Sequence, residues 1–116
     1  MTDHRDAAIR ETKQILEAAK TLHASLRANE SVYRRGLKAL EQGEDVATIL
    51  GAVDVKSARQ QLNETLEAFE HCRHQVRLAL TAAGMDEGMT ISDTGRAWGV
   101  SRQLASRYAH EALDQA

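Results

Sequence analysis

From Ala8 to Leu40 the chain steps by threes and fours through Ala8, Thr12, Ile15, Ala19, Leu22, Leu26, Asn29, Tyr33, Leu37 and Leu40. A mostly apolar seam with a period near 3.5 is one face of an α-helix. The chain has no proline to interrupt it. Some forty residues of helix would span about 60 Å, longer than an ordinary globular helix. A seam of that length needs a partner. Gly36 lies inside it, and Asn29-Glu30-Ser31 offers an alternative break into two helices.

Gly43 is placed to end this helix as a C-cap, and Glu44-Asp45 opens a short helical turn over Val46–Leu50 that Gly51 closes. Asp54 is a suitable N-cap for a second long helix, about Val55 to Ala83. Its seam is Val55, Ala58, Leu62, Thr65/Leu66, Phe69, Cys72, Val76, Ala79/Leu80 and Ala83. Gly84 is expected to stop it, with Met85–Met89 as a linker. The expected fold is all-α: a long N-terminal antiparallel helical hairpin over residues 1–84, followed by a C-terminal helix-turn-helix over 85–116. A hairpin of two stripes buries little for independent stability, so a second copy is expected, giving a four-helix homodimer with 1–84 as its dimerisation region. The plainer alternative is a monomer whose long helices fold back on the C-terminal region.

The aromatic residues are few (Tyr33, Phe69, Trp98 and Tyr108), so the core must be built from Leu, Val, Ile and Ala. A single cysteine, Cys72, excludes an internal disulfide and fits a reducing compartment. The polar start Met1-Thr2-Asp3-His4-Arg5 leads into no apolar run, so neither a signal peptide nor a membrane span is expected, and a cytoplasmic protein is. Arg outnumbers Lys and Ala is abundant, which suits a high-GC bacterial genome. The formal net charge is −2. Residues 85–116 are themselves acidic, with Arg96, Arg102 and Arg107 against Asp86, Glu87, Asp93, Glu111 and Asp114. That balance weighs against strong nucleic-acid binding by one copy and makes doubled contacts in a dimer more necessary.

The segment from Ile91 to Tyr108 carries the functional expectation. Ser92 is suited to cap a short helix, with Asp93 in its first turn. Gly99 supplies the tight turn between two helices. Ser101 is placed to cap the second helix, while Val100, Trp98, Leu104 and Tyr108 form the small core between them. The exposed face of the second helix then carries Arg102, Gln103, Ser106 and Arg107, with His110 beyond. Arginine reads guanine bidentately, glutamine can read adenine, and serine binds phosphate or a base edge. The N-terminal turns of a recognition helix are the ones that reach the bases.

The run Gly99-Val100-Ser101-Arg102-Gln103, followed by Ser106-Arg107-Tyr108, resembles the helix-turn-helix of small bacterial transcriptional regulators, including sigma-region-4-like and resolvase-like versions. The resemblance covers about a fifth of the chain. It implies that Arg102, Gln103, Ser106 and Arg107 face double-stranded DNA, that Gly99 makes the turn, and that Ser101 caps the helix and holds phosphate. The chain departs from that pattern at Thr94, where a large aliphatic is usual, at Gly95, where Ala is preferred, and at Ala105, where Val or Ile is common. Gly95 costs about 1 kcal/mol of helix propensity.

Other residues have plainer readings. His71-Cys72-Arg73-His74 holds zinc-ligand types, but on a helix His71 and His74 share a face while Cys72 points about 100° away from His71. Glu67–His71 and Glu70–His74 pairs on a polar face are the simpler account. Arg34, Arg35 and Lys38, or Arg73 and Arg77, could touch a DNA backbone, yet such charges are more often a solvated face. Asn29 is either a register-setting polar contact or a helix break. Phosphorylation of Ser101 or Ser106 would place negative charge at the DNA face, although capping and contact are the simpler roles. No phosphate loop, nucleophile elbow or acid–base pair stands out, so no catalytic residue, cofactor or metal is expected, and the chain reads as a non-enzyme.

The leading expectation is therefore sequence-specific DNA binding in transcription regulation. Two rivals stand beside it: a nucleoid-associated protein of low sequence specificity, and a protein-binding adaptor of the transcription machinery, such as a partner of sigma factor or polymerase. Two narrow helical stripes give no argument for an enclosed pocket, so a small-molecule sensor ranks below these.

Overall fold

The computed structural model describes residues 2–114, all of whose regular structure is helical. Five helices follow in order: α1 (Thr2–Glu41), α2 (Val46–Ala52), α3 (Val55–Asp86), α4 (Ile91–Trp98) and α5 (Arg102–Asp114). Contacts divide the chain into two compact units, residues 1–16 with 71–116, and residues 17–70. No helix among the described residues is long and apolar enough to cross a membrane.

Helix α1 is continuous, and the second unit shows why neither candidate break acts. The Asn29 side chain is buried and donates from Nδ2 to the Ala58 carbonyl at 3.1 Å. Its amide thus serves a contact between α1 and α3 and leaves its own helix intact. Glu30 and Arg34 form an i,i+4 ion pair across the same stretch. Gly36 faces Ile49 of α2, whose Cγ2 would lie 4.0 Å from an added Cβ, an ordinary contact distance. Asp45 caps α2 by accepting from the Thr48 N–H at 2.9 Å, and Asp54 caps α3 by accepting from Ser57 N–H at 3.1 Å. Helix α2 runs through Gly51 to Ala52, one residue beyond the expected stop.

The inward face of α1 differs from the expected seam. Ser25, Asn29, Val32, Gly36 and Ala39 are buried or half-buried, whereas Leu26, Tyr33, Leu37 and Leu40 are exposed, Tyr33 by 69%. Successive residues on a helix differ by about 100°, so two stripes one residue apart share much of their periodicity. The smaller side chains pack inward and the larger ones remain in solvent. On α3 the same choice places Thr65 and Ala79 inward and Leu66 and Leu80 outward.

In the first unit, α5 packs on α3 through Leu78, Ala82, Tyr108 and Ala112, with Val100 and Leu104 against the edge of that cluster. Leu78 is 2% exposed and is the one large side chain fully enclosed there among the described residues. The remaining buried apolar positions are mostly alanines, including Ala83, Ala105 and Ala109. His4 pairs with Asp86, and Arg5 donates to Glu87 at 2.9 Å, tying the start of α1 to the end of α3. Helix α3 passes through Gly84 to Asp86 and is closed instead by the turn at Gly88, whose φ is +98°. There Gly88 N–H bonds the Met85 carbonyl and Met89 N–H bonds the Gly84 carbonyl, a Schellman closure that needs a left-handed residue.

Candidate nucleic-acid interface

Helix α4 is capped by Thr90, two residues before the expected Ser92. The Thr90 hydroxyl accepts from the Asp93 N–H at 3.0 Å, and the Asp93 carboxylate accepts from the Thr90 N–H at 3.0 Å. This reciprocal capping box satisfies donors that a helix start otherwise leaves open. Arg96 adds a 2.6 Å bond to the same carboxylate. The Thr90 backbone bond, then its hydroxyl, and more weakly Arg96 hold the Asp93 carboxyl below its ordinary value. Asp54 and Asp45 are lowered in the same sense, Asp54 mainly through the Ser57 N–H and Asp45 mainly through Thr48.

A lowered carboxyl pKa favours the folded state above the unfolded value, here 3.8, and that contribution disappears as the pH falls through the folded value. Urea midpoints followed by circular dichroism are therefore expected to fall between about pH 6 and about pH 3, and Asp93→Asn should flatten part of that acid limb. An acid limb unchanged by Asp93→Asn would show that the carboxylate contributes nothing to stability.

Gly99 closes α4 in the left-handed conformation, φ 67° and ψ 35°, with its N–H on the Arg96 carbonyl and the Val100 N–H on the Gly95 carbonyl. Ser101 then caps α5, its hydroxyl accepting from the Leu104 N–H at 3.1 Å. These two residues occupy the positions expected of them. Gly95 has a role that its propensity cost concealed. A Cβ there would lie 3.1 Å from the Val100 carbonyl oxygen and 3.6 Å from the Ala105 Cβ. Gly95 and the fully buried Ala105 let α4, the turn and α5 approach closely. Gly95→Val should push these elements apart and cost about 1–3 kcal/mol by overpacking, while Gly95→Ala should cost less. Thermal denaturation of the two variants checks the order, and equal loss in both would refute the close-packing role.

Thr94 is buried and donates to the Thr90 carbonyl at 3.1 Å, so its hydroxyl is satisfied without a partner from another helix. Trp98 departs from its expected place in the core between α4 and α5: it is 38% exposed.

Helix α5 has two distinct faces. Ala105, Tyr108, Ala109 and Ala112 are buried. Ser101, Arg102, Gln103, Arg107 and His110 are exposed, and Ser106 is half-buried. Among the described residues neither Arg102 nor Arg107 has an ion-pair partner. The first turn of α5 carries no acidic residue. A cation at the positive end of a helix is unfavourable by itself, and an external anion would relieve it.

The other candidate cations are engaged differently. Arg77 stacks over the Tyr108 ring at 4.9 Å, which bolts α5 to α3. Arg34 is paired to Glu30, while Arg35 and Lys38 are exposed on α1. His74 bonds the Glu111 carboxylate at 2.6 Å. Among the described residues no group of three or more His, Cys, Asp or Glu side chains is placed to hold a metal ion. No protein-family model matches the chain, and no curated protein and no solved structure matches it.

Proposed function

We propose that α4, the turn at residues 99–101 and α5 form a helix-turn-helix that docks α5 in the major groove of double-stranded DNA. In this reading the protein is a sequence-specific transcription regulator. The observation that carries it is the outer face of α5. That face presents Arg102, Gln103 and Arg107 to solvent on a helix whose opposite face is fixed in a core. Arg102 and Gln103 would read base edges, Arg107 and the edge of Ser106 would grip the strand, and Ser101 would hold a phosphate beside the helix N-terminus.

Homodimerisation belongs to the same proposal. Two arginines per copy neutralise few phosphates, and a second copy doubles the contacts. Leu26, Tyr33, Leu37 and Leu40 form an exposed stripe at helical spacing on α1, with the composition of an interface between copies. A dimer of this kind would read half-sites about one helical turn apart.

Selection of duplexes from a random library by the full-length protein, followed by sequencing, tests this reading. A sharp motif with two-fold symmetry supports a dimeric regulator. Broad recovery without a motif would replace it with the low-specificity nucleoid role. No recovery at low salt would refute both, leaving a protein-binding adaptor, which the net charge of −2 favours.

A further inference from the structure

Four large apolar side chains of the first unit, Ile9, Leu80, Met89 and Trp98, are each at least 38% exposed, yet they converge on one cleft. The cleft lies among α1, the end of α3 and α4, with a volume of about 620 Å³. That is within the range of small-molecule sites, which are mostly apolar with a few placed polar groups. Thr12, Thr81 and Thr94 also line it, but each donates its hydroxyl to a backbone carbonyl four residues earlier. Their hydroxyl protons are thus already committed and are not offered to a ligand. The interior therefore suits an apolar body and offers little to a polar one.

Charge at the rim narrows the class. Arg5 is joined to Glu87, so that pair presents no net charge. Lys13 is exposed at the same rim and has no ion-pair partner among the described residues. Lys13 thus gives the lining of an apolar cleft one cation that no carboxylate among the described residues pairs. We propose that this cleft binds an amphiphilic monocarboxylate, its apolar body between Trp98, Met89, Leu80 and Ile9 and its carboxylate at Lys13. The inference goes beyond the DNA reading and stands whether or not α5 enters a groove.

Trp98 is the chain's single tryptophan and lines this cleft, so tryptophan fluorescence comes from its wall. The full-length protein is titrated with decanoate below its micelle concentration, with decyltrimethylammonium as the cationic control. The expected result is a saturable blue shift with decanoate and a weaker response to the ammonium. Lys13→Glu is expected to weaken decanoate binding about fivefold, since exposed pairs are individually weak. Ala97→Phe, at an exposed position on the cleft wall, should weaken both probes by filling the space while α4 and α5 stay helical by circular dichroism. No saturable shift, equal response to both probes, or unchanged decanoate binding in Lys13→Glu would overturn the proposal. So would Trp98 emission that shifts with protein concentration alone, because a second copy would then occupy the cleft.

Discussion

Arg102→Ala is expected to weaken binding to a selected duplex by about 1–3 kcal/mol while leaving the fold intact. The expectation combines two features of this side chain. Arg102 is exposed at the first position of α5 and, among the described residues, pairs with no carboxylate. Its loss removes no ion pair among the described residues, so a loss of affinity in a folded variant comes from the ligand side. Specificity should relax at one base-pair position if Arg102 reads a guanine. Arg107→Ala should behave differently if that residue grips phosphate: affinity falls across all sequences, and the salt dependence becomes shallower by about one unit of slope. Fluorescence anisotropy over a salt series separates the two. Wild-type affinity in a folded Arg102→Ala protein would show that this face of α5 does not read DNA.

Leu78→Ala should destabilise the protein by about 2–5 kcal/mol. Leu78 is the large side chain around which Ala82, Tyr108 and Ala112 close, and alanine neighbours cannot swing in to refill a cavity. Domains of this size are stable by only about 5–15 kcal/mol, so the loss is a large share of the total. Leu113→Ala removes the same atoms from an exposed site on α5 and should cost far less. Urea unfolding of the two variants measures the difference. Similar costs would mean that α5 is not held to α3 by this cluster. Because α5 carries the proposed DNA face, Leu78→Ala should also lower affinity through loss of the docked helix, an effect that the Arg102→Ala comparison distinguishes from loss of a contact.

Legibility of the chain followed the range of the physics involved. Helix existence was readable throughout, because the three- and four-residue spacing and the absence of proline act within a few turns. The left-handed stop at Gly99 and the caps of Ser101 and Asp54 were readable for the same reason. Thr90 was overlooked as a cap although its signal was present. Thr90 is followed three residues later by Asp93, which completes a reciprocal cap, whereas Ser92 is followed at that spacing by Gly95. Gly88, four residues beyond the expected stop at Gly84, was likewise visible as a glycine but carried no local mark of which would turn left-handed.

The sequence by itself determined an all-α chain, the approximate bounds of its helices, and an α5 with Arg102, Gln103 and Arg107 on the side away from its alanines. Tertiary structure decided which stripe of α1 turned inward. Leu26 and Ser25, or Tyr33 and Val32, satisfy nearly the same periodicity, and only the approach of another helix selects the smaller residue of each pair. It also decided that Gly95 is a packing position, because its value depends on Val100 and Ala105 arriving within contact distance. The cleft beside Trp98 has the same origin. Its walls come from residues as far apart in the chain as Ile9 and Trp98. Periodicity reports the faces of one helix at a time, and a space enclosed by three helices exists only once they are packed.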